Sequence, residues 1–295
     1  MSAHEVHIVD VFAEEKYAGN QLAVITGGDG VDDVTMQRIA RETNFSETTF
    51  IVSAQLRHGG YDVRIFTPTA ELPFAGHPTV GTAYVLRNLV LRSDVERLTL
   101  NLKIGPVEVR FVPEPDGRQL LWMSTPYPKF GATFEPTAVA AVVGLSADDV
   151  DQRYPVQCVS LGPEFTFLPL RTLDAVRRAR FSTDRFEQQR HLGFNPCIFM
   201  FCPQTYSTAH QLNARMFAVP FGVPEDPATG SANACLAAYL LRHNYFPGDR
   251  IDLRVEQGYE IGRPSLLYLQ AQRRGDEAEI RVGGHVVPTF RGVLC

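Results

Sequence analysis

Two short stretches set glycine beside side chains that can handle protons or anions. Ala75-Gly76-His77-Pro78-Thr79 leads into the apolar run GTAYVL (81–86), and Ala228-Thr229-Gly230-Ser231 leads into LAAYLL (236–241). Proline suits the first helical position, so one helix is expected to begin at Pro78 and to reach about Leu91. Serine is a preferred capping type, so another is expected near Ser231. A helix start presents unpaired N–H groups and the positive end of the dipole. Glycines at 76 and 230 let a ligand approach the backbone closely. Facing each other across a cleft, the two starts form an anion site suited to a small carboxylate more than to a large phosphate ester. Taken singly, either stretch also reads as an ordinary helix start.

Three titratable groups accompany these loops. Glu47, in NFSETTFIV (44–52), lies between the end of a helix and an apolar strand. At the edge of a core, burial disfavours the charged form of a carboxylate and suits it to proton transfer. On position alone Glu47 reads rather as a solvated turn residue beside Ser46, Thr48 and Thr49. His77 and Asp226 sit in or beside the two loops, and each has a structural alternative: an imidazole bonded to backbone, or an Asp serving a Glu-Asp-Pro turn. Ser231 lies in TGSAN, which lacks the GxSxG spacing of a nucleophile elbow, so a serine hydrolase is disfavoured.

The elements that must position these groups are mostly strands. Runs such as VHIVDVF (6–12), TTFIVS (48–53), YDVRIF (61–66), CIFMF (197–201) and IDLRVE (251–256) are strand-like, several of them alternating. An amphipathic helix fits 33–43. Pro126-Tyr127-Pro128 cannot continue a central strand and marks a linker. The halves on either side repeat. Arg64-Ile65-Phe66 leads to the His77 loop and an apolar helix, and Arg215-Met216-Phe217 leads to the Ser231 loop and another. A helix that is apolar all round must be buried on all sides. The fold class is therefore α+β: two pseudo-symmetric lobes, 1–126 and 127–279, each a curled, mostly antiparallel sheet wrapped round a central helix.

Composition narrows the partners. The chain has 295 residues, 44% hydrophobic and 21% charged, with a formal net charge of −5. That is ordinary globular composition. With no basic block to track a phosphate backbone, neither nucleic acid nor a membrane surface is an expected partner. No apolar run approaches the ~18 residues of a membrane span, and the N-terminus lacks the pattern of a signal peptide. The five cysteines, Cys158, Cys197, Cys202, Cys235 and Cys295, are scattered without CxxC spacing and read as reduced cytoplasmic thiols filling core. The eight histidines show neither HxxxH nor HExxH, so no protein-built metal site is expected.

DVF (10–12) with GNQLAV (19–24), NFSETTF (44–50), FTPTAELPFAGHPTVG (66–81), GVPEDPATGSA (222–232), EQGYEIGRPS (256–265) and VGG (282–284) together resemble the PhzF-like family, named for the phenazine-biosynthesis isomerase and related in fold to diaminopimelate epimerase. The pieces span the chain in order. The resemblance implies a ligand cleft between the lobes, a C-terminal segment (280–295) that returns to the first lobe, and a homodimer. It implies a cofactor-independent isomerase with Glu47 as acid/base, His77 and Asp226 orienting the substrate and supporting proton traffic, and Ser231 with the amides of Gly76 and Gly230 holding a substrate carboxylate. Epimerase relatives oppose two cysteines. The matching positions are read as Ala75 and Ala228, which carry no proton, so that chemistry is disfavoured. The competing reading is a non-catalytic binding or protein-interaction member of the same family.

Overall fold

The computed structural model describes residues 4–294. The first three residues, with which the N-terminal reading begins, and Cys295 lie outside them. The chain separates into two compact units, one running to Ser124 and resuming at Gly283, the other Thr125–Val282.

In the first unit the strands are β1 (His4–Val11), β2 (Asn20–Thr26), β3 (Glu47–Ile51), β4 (Tyr61–Phe66), β5 (Glu71–Leu72), β6 (Arg97–Leu102), β7 (Gly105–Pro113) and β8 (Gln119–Thr125). Two neighbouring pairs are parallel, β2 with β3 and β4 with β6. The remaining pairings within this set, β1–β2, β3–β4, β4–β5, β6–β7 and β7–β8, are antiparallel. Parallel neighbours need a long crossover, usually helical. The two crossovers are α1 (Asp33–Thr43) and α2 (Gly76–Val85).

The crossovers take opposite faces of the sheet. Met36 and Ala40 of α1 pack with Val6, Ile25, Phe50 and Phe66. On the other face α2 lies so close that a Cβ on Gly81 would stand 2.6 Å from Leu22 and 2.7 Å from Val11. Nine of the ten residues of α2 are buried, His77, Thr79 and Thr82 among them. The helix begins at Gly76, two residues before the expected Pro78. Proline is tolerated there because an N–H in the first turn has no helical partner in any case. Beyond Val85 it widens into a π-type turn over Leu86–Leu91, which ends at Arg92 in the left-handed region (φ 50°).

The second unit repeats the plan. Its strands are β9 (Lys129–Phe134), β10 (Val156–Ser160), β11 (Glu164–Pro169), β12 (Ile198–Cys202), β13 (Leu212–Ala218), β14 (Val223–Asp226), β15 (Arg250–Gln257), β16 (Ser265–Arg274) and β17 (Glu277–Gly284). Here β11 and β12 are parallel, as are β13 and β15. The crossovers are α4 (Leu173–Arg178) with α5 (Thr183–Gln189), and α6 (Gly230–Arg242). An additional helix, α3 (Pro136–Val142), precedes β10 and joins α4 and α5 on one face of the sheet, over Leu168, Ile198 and Met200. On the other face Phe167, Phe199 and Phe201 surround α6, with Tyr239 stacked 5.5 Å from Phe167. Strands covered on both faces read as unbroken apolar runs, which explains CIFMF.

The last strand, β18 (Val286–Leu294), belongs to the first unit and pairs antiparallel with β1. Pro288 fits because the register slips between Ile8 and Val9, leaving Thr289 as the extra residue, a bulge where proline costs no ladder bond. His285, just before it, is buried between Glu14 (2.7 Å) and Glu114 (2.7 Å).

Candidate functional site

The first unit gathers Glu47, Gly76 and His77. Asn44, with φ 53°, ends α1 in the left-handed conformation and turns the chain into β3, whose first residue is Glu47. The parallel register sets Glu47 beside Leu22. His77, 4% exposed, is the second residue of α2, and its Nε2 lies 3.4 Å from Glu47 Oε2. Its Nδ1 is 3.2 Å from Nδ2 of the buried Asn20. The ring also hydrogen-bonds the Gln21 backbone. Burial pushes the imidazole down to about 3, so the ring is neutral at physiological pH. Below it, Thr49 and Thr82 share a buried 2.7 Å hydrogen bond that ties α2 to β3. No side chain caps α2.

The second unit gathers Asp226, Gly230 and Ser231. Asp226 ends β14 and is buried. Its Oδ2 accepts from the Thr229 hydroxyl at 2.6 Å. Ser231 is not the cap expected of it. It is the second residue of α6, and the cap position belongs to Thr229, whose hydroxyl is spent on Asp226 rather than on the helix. Gly230 and Ser231 are both buried. The residues that precede the first helical glycines are Ala75 and Thr229, and neither is cysteine.

The thiols offer nothing reactive among the described residues. Burial pushes Cys197 and Cys202 up to about 12, and Cys158 and Cys235 also upward, whereas reactive thiols are depressed. No group of three or more His, Cys, Asp or Glu among these residues is placed to hold a metal ion. No helix among them is long and apolar enough to cross a membrane.

A sheet wrapped round a buried helix, twice over, with Glu47 and His77 at one helix start and Asp226 at the other, matches one family along the chain. The phenazine biosynthesis-like protein family (PhzC-PhzF) covers residues 9–292. The chain belongs to this family. It is 35% identical over 305 residues to an uncharacterized isomerase of Mesorhizobium japonicum, covering 100% of this chain and 99% of the relative. It is 34% identical to the trans-2,3-dihydro-3-hydroxyanthranilate isomerase of Pseudomonas aeruginosa, covering 96% of each. The crystal structure of a PhzF-family phenazine biosynthesis protein from Bacillus anthracis superposes with a TM-score of 0.90 at 27% identity, covering 100% of both chains. The α+β architecture and the family expected from the sequence are both borne out.

Sequence reading missed Asn20 and Gln257, the buried amides beside His77 and Asp226. Both lie in the family-like pieces GNQLAV and EQGYEIGRPS. The signal available was an uncharged polar residue at the end of an apolar strand.

Proposed function

We propose that the protein is a cofactor-independent isomerase that moves a proton between carbons of a small, cyclic carboxylate, with Glu47 taking and returning it. The observation that carries this reading is the 3.4 Å approach of Glu47 Oε2 to the Nε2 of a buried, neutral His77. A carboxylate held at the edge of the core can accept a proton from an acidified C–H. The C–H electron pair becomes a new carbon–carbon double bond, the π pair of the neighbouring double bond is displaced to its far carbon, and that carbon takes the proton back from the carboxylic acid so formed. The carboxylate is regenerated, and atoms and electrons balance within the substrate.

In this reading His77 and Asp226 orient the substrate's polar groups. The Ser231 hydroxyl and the amides of Gly76 and Gly230, at helix starts, hold its carboxylate. The same reading takes the protein as a cytoplasmic homodimer with no nucleic-acid or membrane partner. The isomerase names of its relatives and the two helix starts support its catalytic part.

The test is deuterium uptake at carbon in D₂O, with trans-2,3-dihydro-3-hydroxyanthranilate first in a panel of cyclic amino and hydroxy acids. Exchange by the parent and its loss in Glu47→Gln is the expected result. A Glu47→Gln protein that exchanges as fast as the parent removes the glutamate from the mechanism. A parent that binds members of the panel without exchanging them favours the binding role.

A further inference from the structure

Gln257 ends β15, is fully buried, and uses all its hydrogen-bonding capacity on the loop that carries Asp226. Its Oε1 accepts from the Thr229 amide at 3.2 Å and from Asn233 Nδ2 at 3.0 Å. Its Nε2 donates to the Asp226 carbonyl at 2.9 Å and to Thr229 Oγ1 at 3.0 Å. An amide N–H is a donor only, so the bond to Oγ1 fills an acceptor site of the hydroxyl and turns its single proton elsewhere. The atom it meets is Asp226 Oδ2, at 2.6 Å. The direction of each bond is thus settled by the one before it, from amide to hydroxyl to carboxylate.

We propose that Thr229 and Gln257 are positioning residues of the active site, holding a hydroxyl donor on Asp226 so that this carboxylate stays ionised and fixed in orientation. The inference rests on the reading of Asp226 as part of the site. A structural role alone, capping α6, needs only the Oε1 of Gln257 and the Thr229 amide. The relay needs Nε2 and the hydroxyl, which do nothing for the helix. A hydrogen bond to the charged form of an acid favours that form, and in a buried setting such bonds strengthen one another.

The first measurement needs no substrate. In the isotope-labelled full chain, the Thr229 hydroxyl proton gives a slowly exchanging downfield NMR signal, identified by its loss in Thr229→Val and retained in Thr229→Ser. It moves upfield in Asp226→Asn, where the acceptor is no longer charged, and exchanges with water at least tenfold faster in Gln257→Met. A signal indifferent to Asp226→Asn and Gln257→Met overturns the proposal. The second measurement is the pH profile of proton exchange at carbon. Thr229→Val and Gln257→Met each move its acid limb up by about one pH unit, the double variant moves it no further, and Thr229→Ser restores the parent profile. An acid limb that stays in place while kcat falls also overturns it, leaving a capping role. Should Asp226→Asn and Glu47→Gln both exchange like the parent, the catalytic reading fails instead, and the hydroxyl signal still reports on the relay.

Discussion

In the first unit Arg64 grips Glu71 through Nε (2.8 Å) and Nη2 (3.0 Å), and its guanidinium lies 5.0 Å over Phe66. In the second, Arg215 grips Glu225 the same way (2.9 and 2.7 Å), 4.8 Å over Phe217. One device fastens the strand before each buried helix to its short hairpin partner. The settings differ. Arg64 is 26% exposed and also reaches Asp33, whereas Arg215 is 4% exposed and donates to the carbonyls of Val176 and Ala179. The chemistry at the two helix starts diverges as well. One offers an imidazole facing a glutamate, the other a hydroxyl facing an aspartate. A duplicated frame has kept its fastening and varied what the fastening presents.

The sharpest way to break the equivalence of the two helix starts is catalytic. Glu47→Gln should lower proton exchange by about 10²–10⁴-fold, and Asp226→Asn by less, because only Glu47 is assigned the proton on carbon. Equal losses would mean that both halves share the proton.

The fastenings come next. Arg215→Met should destabilise by about 3–5 kcal/mol, because it strands Glu225 as a buried, uncompensated charge. Arg64→Met should cost less than about 1 kcal/mol, because water screens its partners. Denaturant unfolding of both variants decides, and similar costs would make the burial difference irrelevant.

The buried helices differ in closeness. Gly81→Ala should cost about 1–3 kcal/mol by overpacking Leu22 and Val11, whereas Cys235→Ala, at a fully buried site in α6, should cost about 1 kcal/mol for the lost side-chain volume. Melting temperatures rank them.

The smallest effect distinguishes the first unit by its pH response. Burial alone would lower His285, but hydrogen bonds to Glu14 and Glu114 outweigh it and hold the imidazole above its ordinary value. The stabilisation is therefore complete below the ordinary histidine range and fades as pH rises through the raised value. The melting-temperature gap between the parent and His285→Gln should narrow from pH 6 to pH 9. A gap independent of pH would refute the assignment.

Much of this frame was legible. Helix 33–43 announced itself by its amphipathic period, and the central strands of each sheet by apolar runs that only burial on both faces explains. Five elements escaped, the two-residue β5 among them. β9 presents mostly exposed residues and so has no alternation to read. α5 is short and largely polar. β14 holds only four residues around Pro224. β18 was hidden by Pro288, which looks like a strand breaker until the bulge opposite Ile8 and Val9 is seen. The roles of Glu47, His77, Asp226 and Ser231 came from family resemblance, and spacing along the chain left each with a structural alternative. The capping role expected of Ser231 failed because a glycine can start a helix one residue earlier, freeing Thr229 for Asp226. Asn20 lies 57 positions from His77, and Gln257 lies 31 from Asp226. Only folding across strands brings those amides to their partners.

The pairing of β18 with β1 also sets a schedule for the nascent chain. The second unit has all its residues once Val282 leaves the ribosome, while the first, although translated earlier, still waits for the strand that covers β1. During synthesis the older half must hold an open sheet edge beside His4–Val11, the kind of edge that recruits stray strands.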